Sequence, residues 1–193
     1  MRISDHRVFI NAVEPNYDGG IAEGIKALLN MAYPGGLKDV IRPGDKVVIK
    51  PNVVKAGRER KPDEWEQVVT NGSVVRTVCD EVIKALEGKG EIIIAEAPQT
   101  DTPFSEAMER CGIKSAVDYY QKNANVKVTL LDLRKEEWLS KDGIVIKRTA
   151  LPGDPEGYEA VDMKGESAFA ETDDEKARLY GGGGERAKTG QQH

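Results

Sequence analysis

The sequence predicts an α/β fold, with a mostly parallel sheet flanked by helices in a three-layer sandwich. Two runs of β-branched residues, Val47-Val48-Ile49 and Ile92-Ile93-Ile94, are continuous rather than alternating, which is typical of strands buried on both faces. A segment with helical periodicity lies between these runs, so the three segments together form a βαβ unit with a right-handed crossover. Helix-like and strand-like segments continue to alternate as far as residue 131.

Length and composition fix the broad class of the protein. The 193 residues are enough for one domain with a substantial core. Hydrophobic residues make up 39% and no segment is as long as a membrane span, so we expect a soluble protein without a membrane partner. The net charge of -5, with both signs interspersed, argues against a nucleic-acid partner. Cys79 and Cys111 are isolated, which favours a reducing, cytoplasmic setting.

The first third of the chain predicts a strand, a helix and a second strand. Residues 7–13 form a short apolar run typical of a strand. Apolar residues recur at helical spacing over residues 21–29, and Asp18 is a candidate cap for this helix. The turn dipeptide Pro43-Gly44 then begins the strand of Val47-Val48-Ile49. Because proline lacks an N–H donor, we expect this strand, central in the sheet, to end at Pro51.

The middle of the chain predicts the remaining helices and strands of the sheet. Residues 53–69 form an irregular loop, and loops of this length are usually functional or mobile. Valine or leucine recurs every fourth residue over 74–86, which predicts a helix. Thr102-Pro103 begins another helix, which ends at Cys111-Gly112. A short helix at about residues 116–122 precedes a strand over 126–131.

The signal weakens after residue 131. Residues 144–146 and 158–161 are candidate strands, and residues 166–180 could hold one poor helix. We therefore assign residues 1–165 to the α/β domain and residues 166–193 to a weakly structured or disordered tail that contains four consecutive glycines.

The order of these motifs resembles the domain of unknown function 362 family. The resemblance covers roughly residues 7–180, and Gly72 departs from it, because family members often carry proline there. Members usually continue well past the point where this sequence stops, so the resemblance implies the N-terminal portion of a longer protein. The motifs that carry it are Pro43-Gly44-Asp45-Lys46-Val47-Val48-Ile49-Lys50-Pro51-Asn52, Thr70-Asn71, Ile92-Ile93-Ile94-Ala95-Glu96-Ala97-Pro98, Phe104 with Cys111-Gly112-Ile113, and Leu131-Asp132-Leu133.

The resemblance implies an α/β sandwich but no agreed reaction, so the enzyme class and the cofactor stay open. Some longer relatives are described as iron–sulfur proteins, which suggests an electron-transfer accessory protein as an alternative. With two isolated cysteines, such a cluster would need ligands from a partner chain. The family is also distantly similar to nickel-pincer lactate racemases, but His6 and His193 match none of their catalytic histidines. A third alternative is a non-catalytic structural fragment, completed by missing sequence or by a second copy.

Two charged residues mark the candidate site. Lys50 and Asn52 follow the first buried strand, and Glu96 ends the next one. Open α/β sheets bind ligands at the carboxyl ends of their strands. We therefore expect a small oxygenated or anionic ligand there, held by Lys50, oriented by Asn52, with Glu96 as acid–base or metal-binding group. The alternative is that Lys50 reaches solvent or forms only a structural pair with Glu96.

The other motifs carry weaker signals. Thr70 and Asn71 could help to bind an anion at the start of a helix, although helix capping explains them equally well. The glycines from Gly19 to Gly24 do not match the spacing of a dinucleotide-binding loop. Residues 182–189 imitate a phosphate-binding loop, but no apolar strand precedes them. Apart from the metal-binding alternative for Glu96, no metal site is predicted.

Overall fold

The computed structural model describes residues 7–14, 16–17, 19–56, 64–142 and 144–161. The chain divides into two compact units, Met1–Gly157 and Tyr158–His193. In the second unit, residues 158–161 have no regular secondary structure, so the strand that the sequence predicts there is wrong. The predicted cap Asp18, the predicted helix over 166–180 and the predicted tail lie outside the described residues.

The first unit contains the described helices and strands. The helices are α1 (Gly20–Ala32), α2 (Gly72–Leu86), α3 (Phe104–Arg110) and α4 (Ile113–Asn123). The strands are β1 (Lys46–Ile49), β2 (Glu91–Glu96), β3 (Lys127–Asp132), β4 (Glu136–Lys141) and β5 (Ile144–Ala150). Short 3₁₀ turns lie at Gly36–Asp39 and Glu66–Val68.

The main sheet is parallel and has the order β1-β2-β3, which confirms the α/β class. In register, Val47 lies beside Ile92, and Ile92 lies beside Val128. The sequence predicts a central position for β1, but in the described sheet β2 is central and β1 lies at an edge. A continuous run of β-branched residues fits a central or an edge strand, because the run indicates that the side chains tend to be buried and not how many strands lie beside it.

The helices cover one face of this sheet. Ile92 and Ile94 of β2 are fully buried against a core that includes Cys79 and Leu86 of α2. Val48 points to the opposite face and is 58% exposed. Burial of β1 on both faces is therefore not observed among the described residues, and a three-layer sandwich remains an expectation.

A glycine contact fixes α2 against the turn between α3 and α4. The Gly72 amide donates a hydrogen bond to the Cys111 carbonyl at 2.6 Å. A Cβ atom on Gly72 would lie 2.4 Å from the backbone carbon of Gly112, closer than real Cβ atoms come to other atoms. Proline at position 72 would lose this hydrogen bond, because it has no N–H donor.

The N-terminal segment differs from its prediction. Residues 7–14 form no strand, and Val8 and Ile10 are 81% and 85% exposed. A strand needs a neighbour for its backbone hydrogen bonds, and none lies beside this segment within the described residues. Local apolar content alone was therefore an insufficient signal.

An antiparallel hairpin of β4 and β5 follows the main sheet. The sequence predicts only the start of β5. The Trp138 amide donates to the Thr100 carbonyl at 2.7 Å, which ties the hairpin to the loop after β2. The hairpin therefore borders the carboxyl edge of the main sheet.

Candidate functional site

Lys50 and Glu96 form an ion pair at the carboxyl edge of the sheet. Lys50 directly follows β1 and Glu96 is the last residue of β2, so the parallel pairing of the two strands brings both residues to the same edge of the sheet. The Lys50 Nζ atom lies 2.9 Å from Glu96 Oε2 and also donates to the Pro51 carbonyl at 3.1 Å. The Lys50 side chain is 60% exposed, whereas that of Glu96 is 5% exposed. The pair thus has a buried acid behind an accessible ammonium.

The Glu96 carboxylate also anchors the backbone on both sides of it. Oε2 accepts a hydrogen bond from the amide of Val53 at 3.0 Å, and Oε1 accepts one from the amide of Ala97 at 2.7 Å. Val53 is almost completely buried, at 2% exposure. Buried backbone donors must be paired, and here a side chain replaces the strand partner that β1 loses at its end. Glu96 therefore fixes the path of the chain after β1.

Asn52 and Thr70 are joined by a closed set of hydrogen bonds. The Asn52 amide donates to Thr70 Oγ1 at 2.9 Å, and the Thr70 amide donates to the Asn52 carbonyl at 2.7 Å. A β-bridge between Val53 and Val69 extends this contact. The Asn52 residue is exposed, and its side-chain amide forms no hydrogen bond within the described part of the chain. Its donors and acceptor are therefore available to solvent or to a ligand.

Asn71 caps α2. Its Oδ1 atom accepts hydrogen bonds from the Ser73 amide and the Ser73 hydroxyl, both at 2.9 Å. The Gly72 amide is bonded to the Cys111 carbonyl, so the first two amides of the helix already have acceptors. The structure therefore brings together Lys50, Asn52, Thr70 and Glu96, while the Asn71 side chain is directed to its own helix.

Arg134 organises the loop after β2, and sequence reasoning missed it. Only 5% of Arg134 is exposed, and its guanidinium pairs with Asp132 at 2.7 Å and Glu137 at 2.9 Å. The same group donates to the carbonyls of Gln99, Thr100 and Thr102 at 3.0, 3.3 and 2.8 Å. All of its donors are occupied, so Arg134 shapes the loop rather than offering a site for an anion. An Asp-x-Arg sequence after a strand was the only available signal.

A second ion pair lies beyond the first along the same two segments. Lys55 Nζ lies 3.0 Å from Asp101 Oδ2, and the Gln99 amide donates to the Val54 carbonyl at 2.9 Å. Asp101 also lines a cavity of about 680 Å³, together with Trp138 of β4. This cavity is large enough for a small molecule. The segments after β1 and β2 are therefore joined by an ion pair and a hydrogen bond next to this cavity.

Both cysteines are buried, as the sequence predicts for Cys79. Burial raises the pKa of the Cys79 thiol to about 12 and also raises the pKa of Cys111. Neither thiol is therefore activated as a nucleophile. In the described ranges, no three His, Cys, Asp or Glu side chains are grouped to hold a metal ion. The same ranges contain no helix that is both long and apolar enough to cross a bilayer.

These features define an α/β protein with a polar site where two neighbouring parallel strands end. Open sheets of this class bind ligands at this edge. The chain belongs to the family described as domain of unknown function (DUF362), whose sequence profile matches residues 47–161. The matched range includes Lys50, Asn52, Glu96 and Arg134. No curated protein matches the chain, and no solved structure matches it either.

Proposed function

We propose that this domain binds a small oxygenated or anionic ligand at the carboxyl edge of its sheet, with the Lys50 ammonium as the principal contact. The observation that carries the proposal is the contrast in burial within one ion pair. Lys50 is 60% exposed, although its partner Glu96 is 5% exposed. An ammonium has three N–H donors, and Glu96 and the Pro51 carbonyl accept two of them. The third donor is directed to a ligand oxygen.

The neighbouring residues have distinct roles in this proposal. Asn52 orients the ligand through its exposed side-chain amide, and Thr70 holds the Asn52 backbone in place. Asn71 contributes by fixing the start of α2 rather than by direct contact. For an enzyme, Glu96 is the acid–base or metal-binding group. That role requires the ligand to draw Lys50 away, because Glu96 Oε2 already accepts two hydrogen bonds.

The proposal predicts weak, Lys50-dependent binding of simple anions. The full chain is titrated with inorganic phosphate, acetate or succinate, and the amide resonances are followed by NMR. We expect shifts at residues 50–54 and 96–97. Lys50→Met removes one charge-assisted hydrogen bond, which contributes about 1.5–3 kcal/mol, so binding should weaken about 10- to 150-fold.

A matched control separates this site from general charge effects. Lys122 is an exposed lysine at the end of α4, and Lys122→Met should leave the shifts at residues 50–54 unchanged. Equal binding by Lys50→Met and the wild type would refute the proposed site. A Lys50→Met variant that loses stability but not affinity would instead assign the pair a purely structural role.

A further inference from the structure

A cavity of about 340 Å³ lies on the face of the main sheet opposite the helices. Small-molecule sites usually measure about 300–1,000 Å³, so this cavity has room for a short chain of atoms. The apolar residues that the three strands contribute to its lining include Val48, Ile93, Ala95 and Leu131. Val48 is 58% exposed and Ala95 is 2% exposed. The apolar lining is therefore covered over β2 and accessible at β1, the strand that leads to Lys50.

A turn over residues 154–157 forms the other wall of this cavity. Asp154, Pro155 and Glu156 line the cavity from the side opposite the sheet. The Asp154 carbonyl accepts a hydrogen bond from the Gly157 amide at 3.0 Å, and Asp154 Oδ1 accepts one from the Glu156 amide at 2.9 Å. These bonds close the turn on itself. Residues of one unit therefore enclose the cavity from two sides.

Lys50 lies at the carboxyl end of this cavity. β1 ends with Ile49 beside Ile94, so the next step of the register places Lys50 level with Ala95, which lines the cavity. Successive side chains of a strand point to opposite faces, so Lys50 and Val48 belong to the same face. Two residues along a strand span about 6.6 Å. The proposed anion site and the accessible apolar lining are therefore neighbours on one surface.

The charges at the amino-terminal end of the cavity do not favour an anion. Lys46 Nζ lies 3.3 Å from Glu91 and 3.5 Å from Glu156, and Lys127 Nζ lies 3.5 Å from Glu91. The carboxylate of Asp154 is also part of the lining. The lining thus contains the ammonium groups of two lysines and the carboxylates of three acids. An anionic group is therefore better placed at the other end, at the carboxyl edge of the sheet.

We propose that the ligand of the Lys50 site is an acid with a short aliphatic tail, whose anionic head binds Lys50 and whose tail enters the cavity over Val48. This inference rests on the proposed function and specifies the class of its ligand. The apolar lining removes the methylene groups of the tail from water. Each buried methylene should tighten binding about fourfold. An acid without a tail, such as acetate, uses the Lys50 contact alone.

A series of carboxylates of increasing length tests the role of the tail. The full chain is titrated with acetate, butyrate and hexanoate, and the amide resonances are followed by NMR. Acetate should shift residues 50–54 and 96–97. Hexanoate should bind at least about tenfold more tightly than acetate, because burial of two of its methylenes already supplies that factor. It should also shift Ile93 and Glu156, which line the cavity.

Two conservative variants locate the tail. Val48→Thr replaces a methyl group of the lining with a hydroxyl group, at a position exposed enough to tolerate it. It should lower the ratio of hexanoate to acetate affinity about two- to fourfold and leave the affinity for acetate unchanged. Val54→Thr is the matched control, because Val54 is 37% exposed and lies on the other side of Lys50 along the chain. This control should keep the wild-type ratio.

The outcomes separate this inference from the proposed function. Equal affinities for acetate and hexanoate, or an unchanged ratio in Val48→Thr, would overturn the inference and leave the anion site at Lys50 intact. Tighter binding of hexanoate without a shift of Ile93 would place the tail outside the cavity and would also overturn it. If none of the acids shifts residues 50–54, the proposed function is refuted and the inference with it.

Discussion

Glu96→Ala tests whether the buried carboxylate holds the site together. Removal of the carboxylate leaves the Val53 amide without its acceptor, and Val53 is 2% exposed, so water cannot easily replace it. An unsatisfied buried amide costs about 1–3 kcal/mol. Loss of the ion pair adds about 0.2–1 kcal/mol, because Lys50 is 60% exposed and largely screened by solvent. We therefore expect the free energy of unfolding to fall by about 1–4 kcal/mol.

Urea denaturation of matched variants measures this difference. Lys50→Met should cost less than about 1 kcal/mol, because the Glu96 carboxylate keeps both backbone donors. Glu96→Gln should lie between the other two variants, since its one carbonyl oxygen can still accept from Val53. The reasoning is refuted if Lys50→Met is as destabilising as Glu96→Ala. That result would mean that the ion pair, rather than the buried acceptor, supplies the stability.

Three further predictions concern positions away from this pair. Gly72→Ala should lower the free energy of unfolding, measured by urea denaturation, by about 1–3 kcal/mol, because the new Cβ would lie 2.4 Å from the Gly112 backbone. An unchanged midpoint of the urea transition would contradict this contact. Arg134→Met should lower the free energy of unfolding by about 3 kcal/mol in the same assay, because the carboxylates of Asp132 and Glu137 lose a buried partner. A decrease of less than about 1 kcal/mol would contradict the role of Arg134 in organising the loop. The hydrogen bond from Lys46 lowers the pKa of Glu91 below its usual value of 4.5. The ionised Glu91 therefore stabilises the folded state at pH values above the pKa that it has in the unfolded chain. This stabilisation is lost as the pH falls through the pKa of Glu91 in the folded protein. NMR titration should show the pKa of Glu91 rising in Lys46→Met, and an unchanged value would contradict the cause.

Local patterns predicted most of the regular elements of the parallel sheet. Continuous β-branched runs located β1 and β2, and four-residue periodicity located α2, because both signals depend only on nearby residues. The predicted strand over residues 7–13 was wrong, since a strand also requires a partner. The edge position of β1 could not be predicted from the sequence either, because it depends on which strands pair with β1. Chain neighbours determine secondary structure tendency, whereas strand order depends on distant segments.

The candidate site was predictable only in part. The rule for carboxyl ends of parallel strands places Lys50 and Glu96 at the same edge of the sheet, and the observed ion pair agrees with it. The contacts of Glu96 with the Val53 amide and of Arg134 with three carbonyls could not be predicted from the sequence, although the Asp-x-Arg sequence marks Arg134 itself. Backbone donors and acceptors are the same for almost every residue type, so only coordinates identify them.

The central position of β2 has a consequence for motion at the site. Its backbone is bonded to a strand on each side, so its amides open to solvent only in large unfolding events. β1 has one neighbour in the described sheet and contributes four residues, so it can separate in smaller openings. Glu96 is therefore attached to the slowly opening strand and Lys50 to the faster one. For the ligand proposed above, this means a carboxylate on the more stable strand beside an ammonium on the strand that opens more easily.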